Sequence, residues 1–80
     1  MQRIYEYDGT PLGVYRHYKG NLYRLLSIGR HSETLEPMAV YEALYGDGGI
    51  WVRPMSMWSE PITVGDTVQP RFAYIGEDAP

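Results

Sequence analysis

The sequence predicts one small all-β domain, a compact barrel or roll of about five strands. Short β-favouring runs recur about every ten residues, with glycine- and proline-rich turn signals between them. The chain has 80 residues and no cysteine, so disulfides and thiolate zinc sites are excluded as staples for a thin core. Eight Tyr, two Trp and one Phe must supply the buried area instead.

Taken in order, residues 1–12 read as a lead-in ending in the turn signal Asp8-Gly-Thr-Pro11. The domain proper is expected over 13–75. Its first strand is Gly13 to Tyr18, with Val14, Arg16 and Tyr18 on one face and Tyr15 and His17 on the other. Lys19-Gly-Asn21 makes a tight hairpin into a long second strand, Leu22 to Arg30. There Leu22, Leu26 and Ile28 are expected to share a face, and Gly29 marks a bend.

A polar connection, 31–36, leads to a third strand from Met38 to Tyr45, apolar on both faces and suited to cover on both sides. Gly46-Asp-Gly-Gly49 is the strongest turn; it lacks the lysine and helix of a phosphate loop. The fourth strand, Ile50 to Arg53, stops at Pro54, with Ile50 and Val52 expected inside and Trp51 and Arg53 on the opposite face. Met55-Ser-Met-Trp58 fits a short helical turn. A loop holding Pro61, Gly65 and Pro70 precedes the last strand, Arg71 to Ile75, and residues 76–80 form a flexible tail.

The net charge is −3, and from Val14 to Glu60 five cations face five carboxylates. No basic run or face emerges, so duplex nucleic acid is not an expected partner. Six of the seven cations are Arg, which favours planar hydrogen-bonded contacts over diffuse charge. No signal-peptide pattern and no run of about 20 apolar residues is present, so the expected location is cytoplasmic, with no membrane partner.

An ordered set of segments carries a resemblance. Tyr15-Arg-His-Tyr-Lys-Gly-Asn-Leu-Tyr23, His31-Ser-Glu-Thr-Leu-Glu-Pro37, Val40-Tyr41, Leu44-Tyr-Gly-Asp47, Trp51-Val-Arg-Pro54 and Pro70-Arg-Phe-Ala-Tyr-Ile75 follow one another along the chain. Together they resemble the small bacterial domain of unknown function 1653 family. That resemblance implies an SH3-like β-barrel roll and no activity; Trp58 stands where the family usually has another aromatic, often Phe.

Candidate chemistry concentrates in two places. Segment 31–36 offers His31, Ser32, Glu33, Thr34 and Glu36, the parts of a general base with an orienting carboxylate, or of a hydrogen-bonded loop closed on itself. His17 and His31 have no spacing that supports a metal site, no serine lies in a nucleophile elbow, and no cofactor is implied. The second place is the aromatic and arginine set: Tyr15 and His17 on one strand, Tyr41 and Tyr45 on another, and Trp51 with Arg53. The bland alternative has Trp51 covering a second small core and Arg53 paired to Glu42 or Glu36.

These residues point to a non-enzymatic binding module for a polar small molecule, a peptide or an unpaired base. The ligand-binding set would be Tyr15, His17, His31, Ser32, Glu33, Thr34, Glu36, Tyr41, Trp51 and Arg53, gathered at one barrel end. The alternatives are a small hydrolase or transferase site on His31 and Glu33, or a domain that self-associates through exposed Tyr and Trp.

Overall fold

The computed structural model describes residues 9–78. The described residues form seven strands and one helical turn: β1 (Gly13–His17), β2 (Leu22–Arg30), β3 (Pro37–Ala43), β4 (Ile50–Pro54), α1 (Met55–Trp58), β5 (Pro61–Val64), β6 (Thr67–Pro70) and β7 (Phe72–Gly76). Strands β1 to β4 run as an antiparallel meander, and β7 returns to pair with β1, giving the order β4-β3-β2-β1-β7. This is an all-β roll of the expected class, with the expected five strands in its main sheet.

The expected loop before the last strand is instead a second, two-stranded sheet of β5 and β6. Pro61 and Pro70, which suggested a loop, face each other at the hairpin's open end, where a missing N–H costs little. Gly65, at φ 61°, takes the first central position of the two-residue turn. The Asp8 part of the lead-in turn lies outside the described residues, as do residues 79–80 of the tail. Gly76 closes β7, and the carbonyl of Glu77 accepts a hydrogen bond from Arg24 Nη1 at 2.8 Å.

The core lies against one face of the main sheet. It comprises Tyr15, Leu25, Ile28, Ala39, Tyr41, Met55, Trp58 and Phe72. Trp58 and Phe72 stack with centroids 3.9 Å apart and planes 5° from parallel, and Tyr15 meets Trp58 edge-on at 5.2 Å. Beside these bulky rings and its own Tyr41, β3 turns small residues inward: Ala39 and Ala43 are buried, while Met38 and Val40, and Leu44 just past the strand, are only half-buried. The expected cover on both sides of β3 is thus partial.

Two expected facings are reversed. In β2, Leu26 does not share a face with Ile28: the register slips between Leu25 and Ser27, so Leu25 and Ile28 point inward and Leu26 lies exposed at the bulge. In β4, Ile50 and Val52 point outward, 58% and 59% exposed. Trp51 faces Tyr41 and Arg53 faces Ala39 across the ladder, and opposed residues share a face, so Trp51 and Arg53 lie on the core side.

Candidate functional site

The inward face of the sheet extends past the core to its β4 edge, and there the aromatic and arginine residues gather. Tyr23, opposite Tyr15 on β2, meets Tyr41, Tyr45 and Phe72 edge-on at 5.4–5.6 Å. Its hydroxyl is 2.7 Å from that of Tyr45. Burial and that hydrogen bond push its phenol up to about 12. His17 meets Phe72 edge-on at 4.9 Å, and its Nδ1 accepts the Lys19 N–H at 3.2 Å.

Arg53 occupies this aromatic setting as a cation. Its Nε–H points to the Tyr41 hydroxyl at 3.4 Å, and its guanidinium lies over the Phe72 ring at 5.7 Å. Neither Glu42 nor Glu36 pairs with it: Glu42 faces Ile50 on the outer surface, and Glu36 shares a contact with Thr34. Among the described residues, the only ion pair joins Arg71 to Glu60 at 3.4 Å. His17 lies within reach of three cations. Burial first, then the charges of Arg53, Arg71 and Lys19, hold its imidazole below the ordinary value of 6.5.

Trp51 supplies an accessible ring two residues from Arg53 on the same face, about 7 Å along the strand. It is 56% exposed, and a Cβ at Gly49 would lie 3.2 Å from its Nε1, so the indole rests against the bare Cα of the turn.

Loop 31–36 lies elsewhere. It follows the Arg30–Pro37 pair at the far end of β2, four ladder steps beyond Leu25–Tyr41 and two beyond the Ala39 row that faces Arg53. Its polar groups satisfy one another. His31 Nδ1 accepts the backbone N–H of Glu33 at 3.0 Å and of Thr34 at 3.3 Å, Ser32 Oγ donates to Glu33 Oε2 at 2.6 Å, and the Thr34 hydroxyl lies 3.4 Å from Glu36 Oε1. The Leu35 N–H donates to the His31 carbonyl at 2.8 Å, with Leu35 at φ 66°. With Nδ1 accepting twice, the neutral ring carries its proton on Nε2, leaving no lone pair for a general base.

Nine of the ten expected ligand-binding residues therefore fall into two groups. Tyr41, Trp51, Arg53 and His17 converge on the sheet's inner face, whereas His31, Ser32, Glu33, Thr34 and Glu36 form a separate, self-contained turn. Tyr15 belongs to neither: it lines an apolar cavity of about 440 Å³ with Pro11, Trp58, Phe72 and Tyr74. Its hydroxyl is spent on the Pro11 carbonyl at 2.6 Å, and burial followed by Tyr74 pushes it up to about 12. Residues missed from sequence are Tyr23, Phe72 and Arg71. Among the described residues no three His, Cys, Asp or Glu side chains gather as a metal site requires, and no helix is long and apolar enough to cross a membrane.

The family described as protein of unknown function (DUF1653) matches residues 13–74. The chain belongs to the DUF1653 family. Its fold is similar to that of a solved DUF1653 protein from Bordetella bronchiseptica, with a TM-score of 0.81 and 42% identity over 89% of this chain and 94% of that one. Comparison with curated proteins finds no match. The DUF1653 segment begins at β1 and ends inside β7, so it contains the main-sheet ladder apart from the Val14–Gly76 pair, and the Trp51–Arg53 pair.

Proposed function

We propose that this DUF1653 domain is a non-enzymatic binding module whose inner sheet face takes a planar group bearing negative charge. A carboxylate or phosphate would face Arg53, and a flat ring beside it would stack on Trp51. A polar small molecule, a peptide terminus or an unpaired base can each present that chemistry. The observation that carries the reading is the Arg53 guanidinium. It is held by Tyr41 and Phe72, yet has no carboxylate partner among the described residues, and its Nη groups make no hydrogen bond there. An arginine fork matches carboxylate and phosphate geometry in two parallel bonds.

The hydrolase reading built on His31 and Glu33 draws no support from a turn whose polar groups are already paired. A cytoplasmic setting remains part of the proposal.

The test is an amide-shift titration by NMR with pools of nucleotides, short RNA, peptides and cellular metabolites. Shifts should cluster at Tyr41, Trp51, Arg53 and His17. Arg53→Ala should weaken the binding by about tenfold or more, and Trp51→Ala combined with Arg53→Ala should abolish it in a folded protein. Shifts confined to loop 31–36, or none with any pool, would overturn the reading.

A further inference from the structure

Strand β4 is an edge of the main sheet, and among the described residues no strand pairs with its free side. Edge strands of monomers usually carry charge, proline, bulges or a covering loop; β4 ends in Pro54 and turns Arg53 inward. Here Ile50, Trp51 and Val52 are consecutive and 58%, 56% and 59% exposed.

The ladder fixes which main-chain groups face out. Ala43 N–H donates to the Gly49 carbonyl at 3.1 Å, one step from the Glu42–Ile50 pair. In an antiparallel ladder, bonded and non-bonded pairs alternate. Trp51 and Arg53 therefore direct their N–H and C=O toward β3. Ile50 and Val52 direct theirs to the free side, joined by the carbonyl of Pro54.

This edge is complementary to itself. Laid antiparallel against a second copy with Val52 on Val52, it matches Ile50 with Pro54 and Trp51 with Arg53. The Val52 N–H of each copy meets the Val52 carbonyl of the other, and each Ile50 N–H meets a Pro54 carbonyl. Proline has no N–H, so the Ile50 carbonyl of each copy is left without a main-chain donor. Trp51 and Arg53 form a non-bonded pair on the free side, the arrangement that brings side chains closest. Each exposed indole then receives the guanidinium that lacks a carboxylate among the described residues, a favourable cation–π contact made twice.

We propose that two copies of this chain associate edge to edge through β4, antiparallel, about a two-fold axis at Val52. The inference rests on the strand and its register, not on the ligand reading. Five residues per copy is well short of the roughly 20–30 a side of a standard interface. The dimer is accordingly weak, with a dissociation constant between about 1 µM and 1 mM.

Two measurements test it. Sedimentation equilibrium should find dimer in the unmodified chain by about 1 mM. Val52→Lys, which sets like charges opposite each other at the axis, should remain monomeric with an unchanged melting curve. Val52 is exposed and points away from the core, so this substitution leaves the fold intact. The second measurement uses the absence of native cysteine. Opposed Cα atoms of about 4.5–5.5 Å suit a disulfide, so Val52→Cys should link under mild oxidation at least about tenfold faster than Val68→Cys. Val68, 67% exposed, lies on β6 in the other sheet and controls for random collision. A monomer at about 1 mM, self-association that survives Val52→Lys, or equal linking rates would each overturn the proposal.

Discussion

Gly49 and Gly20 form a matched pair that tests how Trp51 is held. Their φ angles are 108° and 110°, so an alanine at either meets nearly the same backbone strain. Strain of that kind costs about 1–3 kcal/mol. In a domain of this size each kcal/mol lowers the melting temperature by roughly 4–8 °C. Both Gly49→Ala and Gly20→Ala should therefore destabilise the fold, and by similar amounts.

The two sites differ in what a new methyl would touch. At Gly20 nothing lies within 4 Å, whereas at Gly49 the Cβ would sit 3.2 Å from Trp51 Nε1 and 3.7 Å from its Cε2. The indole is more than half exposed and can swing aside, so the extra cost is about 1 kcal/mol or less. The ring must nevertheless move. In Gly49→Ala the Trp51 indole N–H resonance should shift while that of buried Trp58 stays put; in Gly20→Ala neither should move. Any ligand that stacks on Trp51 should lose affinity in the first variant alone. An unmoved Trp51 resonance in Gly49→Ala, or equal movement in both variants, would refute the idea that the turn glycine seats the ring.

Three further outcomes follow from the same geometry. Leu35 is 62% exposed at φ 66°, so Leu35→Gly should relieve left-handed strain without losing packing and raise stability by about 1 kcal/mol, read from a denaturant midpoint. The folded state holds the His17 imidazole below its ordinary 6.5; it binds fewer protons than the unfolded chain, so this contribution is complete above that pH and lost as pH falls. His17→Gln should flatten the acid limb of the stability profile. Trp58→Ala should remove about 3–5 kcal/mol, most of what a domain of this length possesses, and leave the chain largely unfolded by circular dichroism, whereas Trp58→Phe should keep the stack on Phe72 and the fold.

The strand inventory was legible where local chemistry decides it. The ends of β2 and the turn at Met55–Trp58 match the expectation because glycine, proline and hairpin residues punctuate them. The β5–β6 hairpin was hidden because proline at both ends suggests a loop. Alternation correctly grouped Trp51 with Arg53, and Tyr15 with His17. It could not say which group faces in. That choice depends on Trp58 and Phe72, distant in sequence, whose rings fill the interior and leave room opposite for Ala39 and Ala43 rather than Val40 and Leu44. A bulge at Leu26 adds a reversal that a strict period of two cannot contain. Tyr23 was recoverable to its face: the expected turn at 19–21 sets it opposite His17, and the observed turn at 18–20 sets it opposite Tyr15 on the same side. Arg71 and Phe72 were not, because only the return of β7 to β1 brings them near His17.

The two candidate regions differ in how completely their polar valences are closed. In loop 31–36 the imidazole, both hydroxyls and both carboxylates take part in local hydrogen bonds, so a partner would have to break as much as it makes. Around Arg53 the opposite holds. The stem is fixed by Tyr41 and Phe72, while the charged fork has nothing to lose to a partner within the described chain. The charges of Arg53 and Arg71 both bear on His17, and their repulsion opposes its protonation. An anion arriving at that face gains a charge-assisted fork and also relieves the repulsion. A second copy offering the face of Trp51 gains less, since a ring carries only a quadrupole. Where both are available, the anion should displace the ring, so ligand binding and edge pairing draw on one arginine and oppose each other.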